Sequence, residues 1–168
     1  MINEKLEVLA KKLEAELSHE DIKVSGVVGS YVRISIYRLK IHYKGYDIQV
    51  KFELGNHNIC EFKTVLDQKY IPDFEITSRN HFINLFLRKK NMLIVKSDDS
   101  NYKEFLLQST LKSGLDSIAK ENSFEPKIYA IKEKNIQHLN TEYSLQFEDK
   151  IGALESTINF YKLIIDNL

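Results

Sequence analysis

Leu39-Lys40-Ile41-His42-Tyr43-Lys44-Gly45-Tyr46-Asp47-Ile48-Gln49-Val50-Lys51-Phe52-Glu53-Leu54 alternates apolar and polar side chains on both sides of Lys44-Gly45. A period of two is that of a half-buried strand, and Lys44-Gly45 is a two-residue turn that fixes register. Tyr43 then faces Tyr46, Ile41 faces Ile48 and Leu39 faces Val50, so the apolar side chains share one face. The other face pairs His42 with Asp47 and Lys40 with Gln49. A five-residue loop, Gly55 to Ile59, carries the chain into a third strand and sets Leu54 opposite Cys60 and Phe52 opposite Phe62. That register puts Lys51 opposite Lys63 and Glu53 opposite Glu61, with the diagonals available for relief.

Upstream, Ile2, Leu6, Leu9, Leu13 and Leu17 recur at intervals of three and four, the stripe of an amphipathic helix with Asn3 as cap. From Asp21 the period becomes two, through Ile22 and Val24, then Val32, Ile34 and Ile36. Apolar residues occupy even positions to Ile36 and odd positions from Leu39, which calls for a bulge or bend near Tyr37-Arg38. Pro72 to Thr77 reads as a short strand. A helix follows over Phe82, Leu85 and Phe86, and Met92 to Val95 reads as a strand buried on both sides. Ser97-Asp98-Asp99-Ser100-Asn101 supplies caps for a long helix from Tyr102 to Ile118. Ile128 to Lys132 and Tyr143 to Phe147 form a second hairpin with a polar loop over 135–140. Ile151, Leu154, Ile158, Tyr161 and Ile165 form the last stripe, which packs on the chain's own sheet or, as the rival expectation, makes a homodimer.

The expected architecture is therefore α+β over a single domain, 1–168. It is a mostly antiparallel sheet of about six to eight strands with N-terminal, central and C-terminal helices chiefly on one face.

Composition narrows the function classes. Charged residues are 29% of the chain and balance to a net charge of zero. A dedicated nucleic-acid binder carries a basic excess and a solvating chain an acidic one. The lone Cys60 admits no internal disulfide and suits a reducing, cytoplasmic setting. The N-terminal residues lack the apolar core of a secretory signal, and no apolar run approaches the roughly 18 residues that span a bilayer.

Local motifs for chemistry are weak. His57 and Cys60 are three apart, with His42 and His81 as further nitrogen donors, but residues three apart on a strand face opposite sides. Ser97-Asp98-Asp99 is best read as capping. Gly26-Val27-Val28-Gly29-Ser30 lacks the lysine and following helix of a phosphate loop. No catalytic, cofactor or metal residue is assigned. Lys44-Gly45-Tyr46 matches the opening of an RNA-recognition motif for three residues, and Asp47 and Ile48 then depart from it.

What remains is a set of exposed basic and aromatic side chains. If the bend preserves sidedness, Arg33, Arg38, Lys40 and His42 share the outer sheet surface with Tyr37 or Tyr31, and a second basic stretch runs from Arg79 through Lys90 to Lys96. The leading expectation is a non-catalytic module that binds another protein, as a small chaperone, adaptor or inhibitor does. Nucleic acid on the basic sheet face is the alternative, and an enzyme whose site is assembled from distant residues is the second.

Overall fold

Eight strands form one sheet in the order β1-β2-β3-β4-β8-β7-β5-β6, every neighbouring pair antiparallel. This is a computed structural model in which residues 2–25, 29–67, 70–79, 91–121 and 123–168 are described. The strands are β1 Glu16–Ser25, β2 Tyr31–Tyr43, β3 Tyr46–Leu54, β4 Ile59–Leu66, β5 Phe74–Ser78, β6 Leu93–Ser97, β7 Lys127–Glu133 and β8 Ile136–Ser144. Four described helices, α1 Ile2–Lys12, α2 Ser100–Lys112, α3 Leu115–Glu121 and α4 Lys150–Asp166, share one core with a single face of the sheet. The architecture is the expected α+β arrangement, with helices from the N-terminal, middle and C-terminal parts of the chain.

The β2–β3 hairpin has the register read from the sequence, with Tyr43 opposite Tyr46, Ile41 opposite Ile48 and Leu39 opposite Val50. Lys44 and Gly45 have φ of 48° and 86°, the two positive values of a primed turn whose twist suits flanking strands. Lys44 Nζ lies 2.6 Å from Asp166 Oδ1, and the Tyr43 hydroxyl donates to the same oxygen at 2.9 Å, tying this turn to the end of α4.

The β3–β4 register differs from the expected one by two residues. Phe52 faces Cys60, Val50 faces Phe62 and Lys51 faces Glu61, and the ladder closes at Glu53 opposite Ile59. A shift of two leaves every side chain on its face, so alternation is blind to it. It replaces the like-charge pairs by Lys51 Nζ on Glu61 Oε2 at 3.1 Å.

Five other expectations are corrected. α1 stops at Lys12, and Glu14 at φ 52° turns the chain so that Leu17 lies in β1 opposite Leu39. Asn3 sits inside α1, its side-chain amide donating to Glu7. The expected long helix is broken into α2 and α3 by Gly114 at φ 86°, and Asp99 caps α2 by accepting from Tyr102 N at 2.8 Å. β6 is a sheet edge rather than a strand buried on both sides, and β7–β8 closes through the two-residue turn Lys134-Asn135, with positive φ at both, not through a loop over 135–140. The expected helix over Phe82 to Phe86 lies outside the described residues.

The stripe read as a dimer helix belongs to the chain's own core. Leu154, Ile158, Tyr161 and Ile165 are buried, and Ile151 packs half-buried against the same cluster. Tyr161 keeps its hydroxyl satisfied by Thr141 Oγ1 at 3.0 Å, as a phenol inside a core requires.

Cys60 is fully buried under the helices, and its surroundings push the thiol up to about 12. Reaction needs thiolate and access, and the native state offers neither. Alkylation by iodoacetamide at pH 8 is expected to be about 100-fold slower in the native protein than in denaturant. Comparable rates would place Cys60 at the surface.

Candidate functional site

Because side chains alternate along each strand, covering one face with helices leaves the other to be read off the register. A line of paired residues crosses all eight strands on this open face: Glu16, Lys40, Gln49, Lys63, Asn140, Tyr129, Glu75 and Lys96. Two residues further along, Ser18, Arg38, Lys51, Glu61, Glu142 and Lys127 form a second line. Between them the sheet is concave, and the hollow holds about 720 Å³ lined by these side chains from six strands. None of the described helices crosses it.

Sheet twist and coiling dish the surface, and its outward positions are polar because they face water in the folded protein. Tyr129 is the aromatic side chain of the hollow, half-buried, with Lys127 Nζ 5.4 Å from its ring centre.

The charges on the open face answer one another. Arg38 Nη1 lies 2.8 Å from Glu20 Oε2, Lys40 Nζ 3.0 Å from Asp47 Oδ2, and Lys51 Nζ 3.2 Å from Glu53 Oε2 as well as bonding Glu61. At the β6 edge Lys96 reaches Glu75 at 2.9 Å. His42 Nδ1 is against Asp47, and its Nε2 is 3.6 Å from Glu16. Glu53 is buried, and the other pairs, being exposed, contribute about 0–1 kcal/mol each to stability. Their larger effect is on the field, since each carboxylate cancels a cation that a polyanion would otherwise meet.

Of the side chains expected to form a binding face, the structure brings Arg38, Lys40 and His42 together. Arg33 and Tyr37 lie on the opposite face. β2 keeps unbroken pairing with β1 and β3 through Tyr37-Arg38, so no bulge restores sidedness and the apolar residues change faces instead. Ile34 and Ile36 are buried on the open side, and Tyr37 is buried on the helix side, where it stacks on His19 at 4.3 Å. Arg33 donates to Asp21 on that same side and, with Ser35, holds the Asp21 carboxyl well below the usual carboxylate range.

The residues weighed for metal binding are dispersed: Cys60 faces the core, His57 is in an exposed loop, His42 is on the open face, and His81 lies outside the described residues. The groups most strongly displaced toward their neutral forms are Cys60, Tyr102, Tyr143 and Tyr161, all raised chiefly by burial in the core and none in the open hollow except through backbone neighbours.

Lys63, Asn140, Glu142 and Tyr129 were not among the expected site residues. Reading 135–140 as a loop moved the second strand of that hairpin to 143–147 and took Asn140 and Glu142 out of line with Lys63 and Tyr129. The signal was present: Leu139, Thr141 and Tyr143 alternate behind Lys134-Asn135, a pair suited to a primed turn. No described helix is long and apolar enough to cross a membrane. Compared with protein families, with curated proteins and with solved structures, the chain matches none.

Proposed function

We propose that this chain is a non-catalytic binding protein whose uncovered sheet face receives a segment of another protein. The observation that carries this reading is the hollow of about 720 Å³ on the helix-free side, floored by side chains from six strands. A sheet covered on one side only, with a dished polar surface on the other, offers a partner a rigid floor and many alternating donors and acceptors.

Two features favour protein over the other classes. Arg38, Lys40 and Lys51 each face a carboxylate, which weakens the uniform positive surface that phosphate chains require. The groups raised most strongly are phenols and a thiol in the core, and the lowered Asp21 carboxyl is paired with Arg33 on the helix side, whereas acid–base chemistry places tuned groups in the cleft that holds substrate. The cytoplasmic setting belongs to the same reading and rests on the single, reduced Cys60.

The test is capture from lysate of the protein's own source, with nuclease present, comparing wild type with Asn140→Arg in the hollow and with Val8→Arg on the exposed outer side of α1. One stoichiometric protein should be retained by wild type and by Val8→Arg, and reduced about tenfold by Asn140→Arg. Recovery of RNA or DNA released at raised salt, or a partner lost only with Val8→Arg, would overturn the reading.

A further inference from the structure

We infer that the segment received by the open face is extended and carries an acidic and a basic side chain two residues apart, the acid meeting Lys63 and the base meeting Glu142. This rests on the reading above and narrows it to a partner chemistry.

Lys63 stands apart from the other cations of the hollow. It forms no ion pair with a described residue, while Arg38, Lys40 and Lys51 all do. Its neighbours in register are Gln49 on β3 and Asn140 on β8, whose side-chain amides likewise have no described hydrogen-bond partner. Three side chains able to donate therefore sit abreast on adjacent strands, about 5 Å apart. One carboxylate laid over Lys63 meets an ammonium with an amide on either side.

The complementary charge is one step along the strands. Glu142 faces Glu61 across β4 and β8 and Lys127 across β7 and β8. Glu61 is held by Lys51, and Lys127 lies over the Tyr129 ring, leaving Glu142 with no described ion pair. Consecutive residues on one face of a strand are about 6.7 Å apart, so Lys63 and Glu142 fall in rows with the spacing of alternate side chains on an extended ligand. An extended polypeptide laid along the strands directs those alternate side chains at the sheet. A phosphodiester chain offers negative charge at both rows and meets Glu61 and Glu142 with repulsion.

The experiment is selection of a random peptide library, displayed on phage, against the immobilised full chain and against Lys63→Glu and Glu142→Lys. Both positions are exposed, and matching thermal melts of the three proteins establish that each is folded. On wild type, peptides with one acid and one base at positions i and i+2, in either order, should be enriched about tenfold over the unselected library. Lys63→Glu should exchange the acid for a second base, and Glu142→Lys the base for a second acid. Uncharged motifs, no enrichment, or the same motif on all three proteins would overturn the inference. The underlying reading is judged separately. A natural partner lost with Asn140→Arg while selection yields uncharged motifs removes only the charge assignment, whereas a partner indifferent to Asn140→Arg removes both.

Discussion

Gly55→Ala is expected to lower stability by about 4 kcal/mol, a fall in Tm of about 12 °C for a chain of this size. Gly55 leaves β3 beside β2 at φ 107°, and a Cβ there would lie 2.0 Å from the carbonyl oxygen of Arg33 and 3.3 Å from Ile34 Cα. Both obstacles are backbone atoms of a strand paired on each side, so relief requires moving β2 or opening the loop. The left-handed φ adds strain that only glycine avoids. Gly45→Ala separates the two causes, because Gly45 has φ 86° with no atom within 4 Å of its Cβ position. It carries the conformational strain alone and should lower stability by about 1 kcal/mol. Thermal or urea unfolding checks both, and equal losses would mean that the four-residue loop does not lie against β2.

Asp116→Ala should lower stability by about 3 kcal/mol. Asp116 is 1% exposed, and its Oδ1 accepts from Met92 N at 2.8 Å and Leu93 N at 3.1 Å, where the chain enters β6. Lys120 Nζ lies 2.7 Å from Oδ2, one helical turn on. Removing the carboxyl leaves two backbone donors without their acceptor beneath α3, and an unpaired buried donor forfeits its hydration with no return. Asp116→Asn keeps an oxygen for both amides and should lose only about 1 kcal/mol, the part due to charge. Amide exchange at Met92 and Leu93 provides a second readout. It should accelerate in the alanine variant and stay near wild type in the asparagine variant, and equal behaviour of the two would show that the carboxyl does not anchor β6.

Some of this fold can be read directly from residue order. Leu39 to Leu54 fixes a hairpin because a two-residue turn leaves one register, and the α4 stripe from Leu154 to Ile165 has to be buried because its spacing makes one apolar face. The β3–β4 register is harder for a definite reason: a slip of two preserves every face, so only cross-strand chemistry distinguishes the alternatives, and Lys51 on Glu61 decides it. The bend placed at Tyr37-Arg38 followed from assuming that apolar residues occupy one side of a strand. β2 violates that assumption, with Ile34 and Ile36 buried on one face and Tyr37, Leu39 and Ile41 on the other.

The candidate site was legible only in fragments. Arg38, Lys40 and His42 sit at outward positions of the hairpin that was read correctly, so they reach the open face. Lys63 and Gln49 were visible as outward residues, but their juxtaposition depends on the register that was off by two. Asn140 and Tyr129 depend on β8 lying beside β4, a contact between residues more than 70 positions apart in the chain. Strand order of that kind has no local signature, and concavity is a property of the assembled sheet alone.

The most direct measurement places a photo-cross-linking amino acid at Gln49, in the hollow, and in a second protein at Val8, on the exposed side of α1, and irradiates each in lysate of the native source. One protein adduct is expected from Gln49, displaced by excess unlabelled wild type, and none from Val8. An adduct from Val8 alone, or nucleic acid joined at Gln49, would contradict the assignment of the open sheet face as a protein-binding surface.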